Sequence, residues 1–247
     1  MTSSATGAPQ GFPTTRASVV EAAAGTDPLI RERAVAAIIE VYWRPCYVHL
    51  RLKWGLVREE AEDLTQEFFA RTLAAGFFEK FDPARARFRT FLRGCLDHLA
   101  ANTRRAEQRL KRGGGVAHLS LDFADAEQHL AGLATGDDPD ELFRREWIRS
   151  LFVVAVEALR AHATAQGHEL RFRIFSRADL EPADGAPRPS YREMADEFRL
   201  PVTQVTNHLA WARREFRRHV LERLRELSGS DAEYRAEARE LFGVEPS

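Results

Sequence analysis

The sequence predicts an all-α protein: two small helical domains, the second a helix-turn-helix, joined by a flexible acidic linker. Three observations predict it. Apolar residues recur at intervals of three and four through most of the 247 residues, which places them on one face of successive helices. The one stretch that alternates like a strand, from Glu169 to Ile174, has no partner strand elsewhere, so helix is expected there too. Charge divides the chain into bodies. Residues 28–112 carry 17 Lys/Arg against 11 Asp/Glu, residues 113–139 none against 5, and residues 140–228 carry 16 against 14. Two basic bodies on an acidic connector point to a polyanionic partner that the overall charge of -1 conceals.

Residues 1–14, rich in Ser, Thr, Gly and Pro, read as a disordered leader. From Leu29 to Leu52, Ile30, Ala34, Ile38, Tyr42, Cys46 and Leu50 recur every four residues, and Pro45 predicts a kink or break. A second helix spans about 58–75, with Ala61, Leu64 and Phe68 inward and Glu59, Glu62, Asp63, Gln66 and Glu67 outward. A third spans about 88–111 on a stripe of Phe88, Phe91, Cys95, Leu99, Ala106 and Leu110, and ends at Gly113-Gly114-Gly115. The acidic stretch to residue 138 reads as a linker without sustained periodicity. Asp138-Pro139 then caps a helix running to about Gly167, and Pro182 to Pro189 is a loop. The domains expected are therefore 15–112 and 139–228, with the linker over 113–138 and a C-terminal extension over 229–247. In that extension Ala232, Ala236 and Leu241 are compatible with a short helix, but fraying is the expectation.

Ser190-Tyr191-Arg192-Glu193 is a capping box opening a two-turn helix. Arg199-Leu200-Pro201 interrupts it, and a longer helix follows on Val202, Val205, Leu209, Ala212, Phe216, Val220 and Leu224. That is a helix-turn-helix. The second helix presents Thr203, Gln204, Thr206, Asn207 and His208 first, short polar groups suited to base edges in a major groove. Arg213, Arg214, Arg217 and Arg218 follow, suited to phosphates. The third helix adds Arg89, Arg93, Arg104, Arg105, Arg109, Lys111 and Arg112 among Phe88, Phe91 and His98, the mixture of cation and ring that single-stranded nucleic acid favours. Some of those rings are needed for the core.

Several classes are excluded. A hydrophobic content of 44% with 30% charged residues supports a real core rather than disorder or a fibre. No apolar run approaches the roughly 20 residues needed to cross a bilayer, and the first residues lack a secretory pattern. Only Cys46 and Cys95 occur, which excludes a disulfide scaffold and fits a cytoplasmic location. Cys46-x-x-His49 and Cys95-x-x-His98 have metal-ligand spacing, but both thiols sit on apolar stripes, so no metal is expected. There is no phosphate-binding glycine loop with its Lys-Ser/Thr pair and no nucleophile elbow, so neither catalysis nor a cofactor is expected.

Four segments together resemble a bacterial RNA polymerase sigma factor of the small two-domain extracytoplasmic-function kind. They are Asp63-Leu-Thr-Gln-Glu-Phe-Phe69, Phe88-Arg-Thr-Phe-Leu92, Lys111-Arg-Gly-Gly-Gly115 and Ser190 to Arg214, in family order. The resemblance implies that Glu62, Asp63, Gln66, Glu67 and Arg71 dock on core RNA polymerase. It implies that Phe88 to Arg112 and the loop before it melt and read the minus-ten box of promoter DNA, with His98 standing where many relatives have Asn. It implies that Thr203, Gln204, Thr206 and Asn207 read the minus-thirty-five box, with Trp211 standing where Arg is usual. The linker would thread polymerase channels, and the family admits an anti-sigma factor as a further partner. The alternative is a stand-alone helix-turn-helix regulator whose first body dimerises or senses a signal; it would not need the acidic face at Glu62 to Glu67.

Overall fold

The computed structural model describes residues 18–73, 76–107, 121–130, 138–181 and 187–243. The chain forms α1 (Val19–Ala24), α2 (Pro28–Leu52), α3 (Arg58–Thr72), α4 (Phe88–Glu107) and α5 (Phe123–Leu130). They are followed by α6 (Pro139–Ala165), α7 (Glu169–Phe175), α8 (Tyr191–Phe198), α9 (Val202–Leu227) and α10 (Asp231–Phe242). No strand occurs among the described residues, and the ambiguous 169–174 stretch is helical. The leader, the Lys111 to Gly115 motif and the remainder of the linker lie outside the described residues.

The central element is α2, against which α1, α3, α4, α5 and α6 all pack. It starts on Asp27, whose carboxylate accepts from the Leu29 and Ile30 N–H groups, followed by Pro28 at the first helical position. Of the kink or break expected at Pro45, the break does not occur: the helix continues to Leu52. Proline removes one ladder bond and crowds the preceding turn, a cost of about 3 kcal/mol in a helix interior. Tyr42, Cys46, Tyr47 and Leu50 are fully buried around it, and that burial holds the helix together.

Two hydrophobic cores form among the described residues. The smaller joins Leu159, Ile174, Phe175, Met194, Val205, Leu209 and Ala212 into the helix-turn-helix body. The larger takes Phe143, Trp147 and Leu151 from α6 and Val220, Leu224 and Leu227 from α9, and packs them with Ile38, Tyr42 and Phe88 of the first body. Residues 139–228 thus contribute to both. The linker is also more than a connector, since α5 buries Phe123 and Ala126 against α2 beside Trp43 and Tyr47. Its acids are held by basic groups of α2: Asp125 by Arg44, and Glu127 by Arg51 at 2.6 Å and the Tyr47 hydroxyl at 2.6 Å. An eight-residue helix has too few residues for periodicity to reveal it in sequence.

Over residues 229–243 the C-terminal extension does not fray. Ser230 caps α10 by accepting from the Glu233 N–H at 3.1 Å, Tyr234 and Ala238 enter the larger core, and Gly243 closes the helix at φ 69°.

Candidate nucleic-acid interface

On α3 the outward face carries Glu59, Glu60 and Asp63 exposed, with Glu62 and Glu67 half-exposed. Glu62 pairs with Arg58 at 2.7 Å and Glu67 with Arg71, both one helical turn apart. Exposed pairs of this kind hold weakly, so the carboxylates remain open to exchange for another basic partner. Gln66 corrects the sequence reading: it is 7% exposed and lies beneath the face rather than on it. The inward stripe of α3 includes Thr65 as well as Leu64, and this turns residue 66 toward the protein.

The stripe of α4 is likewise displaced from the one expected. Phe88, Leu92, Leu96, Leu99 and Ala100 face the core, whereas Phe91 and Cys95 stand half-exposed beside it. These two residues help to wall a cavity of about 670 Å³ between α3, the turn at Phe78–Lys80 and α4. Phe68, Phe77 and Phe81 supply further walls, and Arg71, Lys80, Arg85, His98 and Asn102 bring polar groups to it. The rings brace one another: Phe81 lies 5.2 Å from Phe91 and 5.3 Å from Phe88, and Phe77 lies 6.1 Å from Phe91, centroid to centroid. A cavity walled by edge-on and tilted rings, with cations at the rim, suits a flat, unpaired base. Sequence reasoning missed Phe77, Phe81, Cys95 and Asn102 as cavity residues. The only signal was the density of phenylalanine between 68 and 91.

The orientation of α4 on α2 is fixed by a partly buried polar group. Asp97 accepts from Trp54 Nε1 at 2.8 Å, Lys53 Nζ at 2.9 Å and His49 Nε2 at 2.8 Å. Burial alone would raise the Asp97 carboxyl, but these three donors outweigh it and hold it below the usual carboxylate range. Burial lowers the basicity of His49, overriding the Asp97 contact. His98, the next residue, is exposed above this anchor.

The basic residues of α4 meet different fates. Arg104 and Arg105 are exposed near the end of the helix. Arg93 pairs with Asp140, and Arg89 is drawn under α10, paired with Glu237 and lying 5.2 Å from the Trp147 ring centroid. Arg109, Lys111 and Arg112 lie outside the described residues.

In the second body the capping box forms as expected: the Glu193 N–H donates to Ser190 Oγ at 3.2 Å and the Ser190 N–H to Glu193 Oε2 at 2.7 Å. Arg199 ends α8 in the left-handed region at φ 54°, and the Leu200 N–H returns to the Ala195 carbonyl at 2.9 Å. The turn aims the first residues of α9 outward. Thr203, Gln204 and Asn207 are exposed; Thr206 bonds back to the Thr203 carbonyl and His208 is half-buried. Burial, followed by Arg171 and His168, makes His208 less basic. Arg213 grips Asp179 with two bonds of 2.8 and 3.0 Å, Arg218 pairs with Glu215 and Glu222, and Arg217 lies over Phe242, leaving Arg214 the most exposed of the four. Trp211 is a bracket within the fold, with the His162 ring stacked on it, His168 edge-on and the Arg171 guanidinium 5.0 Å away.

Cys46 is fully buried, with its thiol pushed far upward by desolvation, and His49 is engaged by Asp97. No helix among the described residues is long and apolar enough to cross a membrane.

An acidic helix, an aromatic cavity and a helix carrying exposed arginines thus lie side by side. Residues 50–110, which supply the cavity and both its flanking helices, match the family model of sigma-70 region 2. Through that segment the chain is similar to the sigma-70 family of RNA polymerase sigma factors, non-enzymatic transcription initiation factors that act in promoter recognition. Neither the curated proteins nor the solved structures give a match.

Proposed function

We propose that this protein is a sigma factor of the extracytoplasmic-function type, which binds core polymerase through α3 and directs it to promoters through two DNA-reading surfaces. The domain assignment follows that division of labour: 15–112 for core docking and the minus-ten box, 139–228 for the minus-thirty-five box. Glu62, Asp63 and Glu67 form the docking face with Arg71 at its edge, and negative charge steers a basic polymerase surface onto it. A base of the non-template strand unstacks into the cavity against Phe91 and Phe81, with each stacked base contributing about 1–3 kcal/mol. Arg93, His98, Arg104 and Arg105 lie along the same helix, and Arg109, Lys111 and Arg112 extend it in sequence toward the backbone. Thr203, Gln204, Thr206 and Asn207 enter the upstream major groove, His208 borders them, and Arg213, Arg214 and Arg217 lie toward phosphates. An anti-sigma factor fits as a partner of either surface.

The observation that carries the reading is the aromatic-and-cationic cavity beside an open acidic helix, within the segment that matches region 2. Reconstituted transcription tests it: the protein with core polymerase on a random promoter pool should select a two-box sequence. Tight, specific duplex binding by the protein alone, without response to polymerase, would favour the stand-alone regulator instead.

A further inference from the structure

The last helix touches both surfaces proposed for DNA. Glu237, 2% exposed, accepts from Arg87 Nη1 at 3.1 Å and also from Arg89. Glu240 accepts from Arg87 Nη2 at 2.7 Å and lies 3.7 Å from Arg89. Glu233 receives the backbone N–H of Phe88, the first residue of α4, at 2.6 Å, and the Gly229 N–H at 2.8 Å. Two guanidinium groups and a helix-terminal amide are what a phosphate would use, and three carboxylates of the same chain occupy them. At the far end of α10 the Phe242 ring lies 4.9 Å from the Arg217 guanidinium of α9. The turn into α10 is seated as closely. A Cβ at Gly229 would lie 2.2 Å and 2.6 Å from ring atoms of Phe81, a wall of the base cavity.

We infer that α10 is an internal stand-in for promoter DNA, an acidic latch that occupies the cations at the start of α4 and Arg217 of α9 in the free protein. The inference rests on the promoter-binding reading above. Because α10 follows α9 across only Ser228, Gly229 and Ser230, its effective concentration at Arg87 and Arg89 is about millimolar or higher, and modest ion pairs suffice to compete with DNA. DNA affinity is then reduced by the fraction of molecules with the latch closed. The latch opens when polymerase and DNA supply a better anion.

The test uses the full-length chain and a fluorescent single-stranded oligonucleotide of mixed sequence, without polymerase. The double substitution Glu237→Gln with Glu240→Gln keeps the shape of α10 and removes its charge. It should tighten binding by about tenfold, and freeing two arginines should steepen the log–log salt dependence by about 1.4. Gly229→Ala, which alters no carboxylate but forces the turn and the Phe81 ring apart, should act in the same direction. Equal or weaker binding by the folded variants overturns the latch. Hydrogen exchange on the unaltered chain decides the matter where a variant fails to fold: saturating oligonucleotide should deprotect residues 231–242, and unchanged protection overturns the proposal. Co-elution with core polymerase reports separately on the sigma-factor reading, since loss of co-elution would sink that reading while leaving the oligonucleotide result intact.

Discussion

The two modules proposed to read DNA differ in how they are left in the free molecule. The first turns of α9 stand open, with Thr203, Gln204 and Asn207 exposed on a helix whose core partners all lie behind it. The start of α4 is covered: Arg87 and Arg89 are engaged by carboxylates of α10, and Arg93 by Asp140. A helix reading base edges in an intact groove can be displayed permanently, because short neutral side chains attract little without a matching sequence. Cations beside a base-sized cavity attract any single strand, so covering them limits unspecific capture.

The comparison can be broken from either side. The largest effect is expected at the docking face, where Asp63→Arg with Glu67→Arg should weaken core-polymerase binding by about 100-fold or more in a fluorescence titration, since like charges brought together cost several kcal/mol. Unchanged affinity would remove α3 from the docking surface. Next is Phe91→Ala, which removes one stacking wall. Affinity for a single-stranded minus-ten sequence should fall by about 1–3 kcal/mol, with upstream duplex recognition left intact. Parallel loss of both would mean that the two modules are not independent.

On the open side, Gln204→Ala and Asn207→Ala should each cost about 1–3 kcal/mol and relax preference at one or two base pairs of the upstream box, read by selection from a randomised pool. Uniform weakening would make them backbone contacts. A smaller effect is expected from pH. Because burial holds His49 below its ordinary value, the unfolded chain takes up that proton first. Its contribution to stability is full above about pH 6.5 and declines as pH falls through that value toward the lower folded one. His208 and His219 shift the same way, so the thermal midpoint should drop between pH 7 and 5.5, and His49→Gln should remove part of the slope. The smallest change concerns the turn before α9. Arg199→Gly relieves a left-handed residue that carries a Cβ and should stabilise the protein by up to about 1 kcal/mol in urea denaturation, without altering base preference.

Local signals carried much of this organisation. The capping box at Ser190, the interruption at Arg199-Leu200-Pro201 and the three-four spacing from Val202 to Leu224 are short-range features, and α8 and α9 follow them. The acidic face of α3 was legible for the same reason, Gln66 excepted. The cavity was not, because it is made by rings from α3, the turn after it and α4, and a helical stripe does not reveal which aromatic faces the core and which faces a void. Phe88 and Phe91 are three residues apart on one helix, yet one is fully buried and the other half-exposed. Pro45 shows the converse, a strong local breaker overridden by packing on every side of α2.

By itself the sequence determined the longer helices, the helix-turn-helix with its capping box and the acidic face of α3, because these depend on residues within a turn or two of one another. Only the tertiary structure decided which cations stay available to a partner. Arg89 and Arg104 look alike in the sequence, but one meets Glu237 from 148 residues away and the other remains exposed. Pairing at that separation is set by how α9 and α10 fold back on the first body, and no local spacing encodes it.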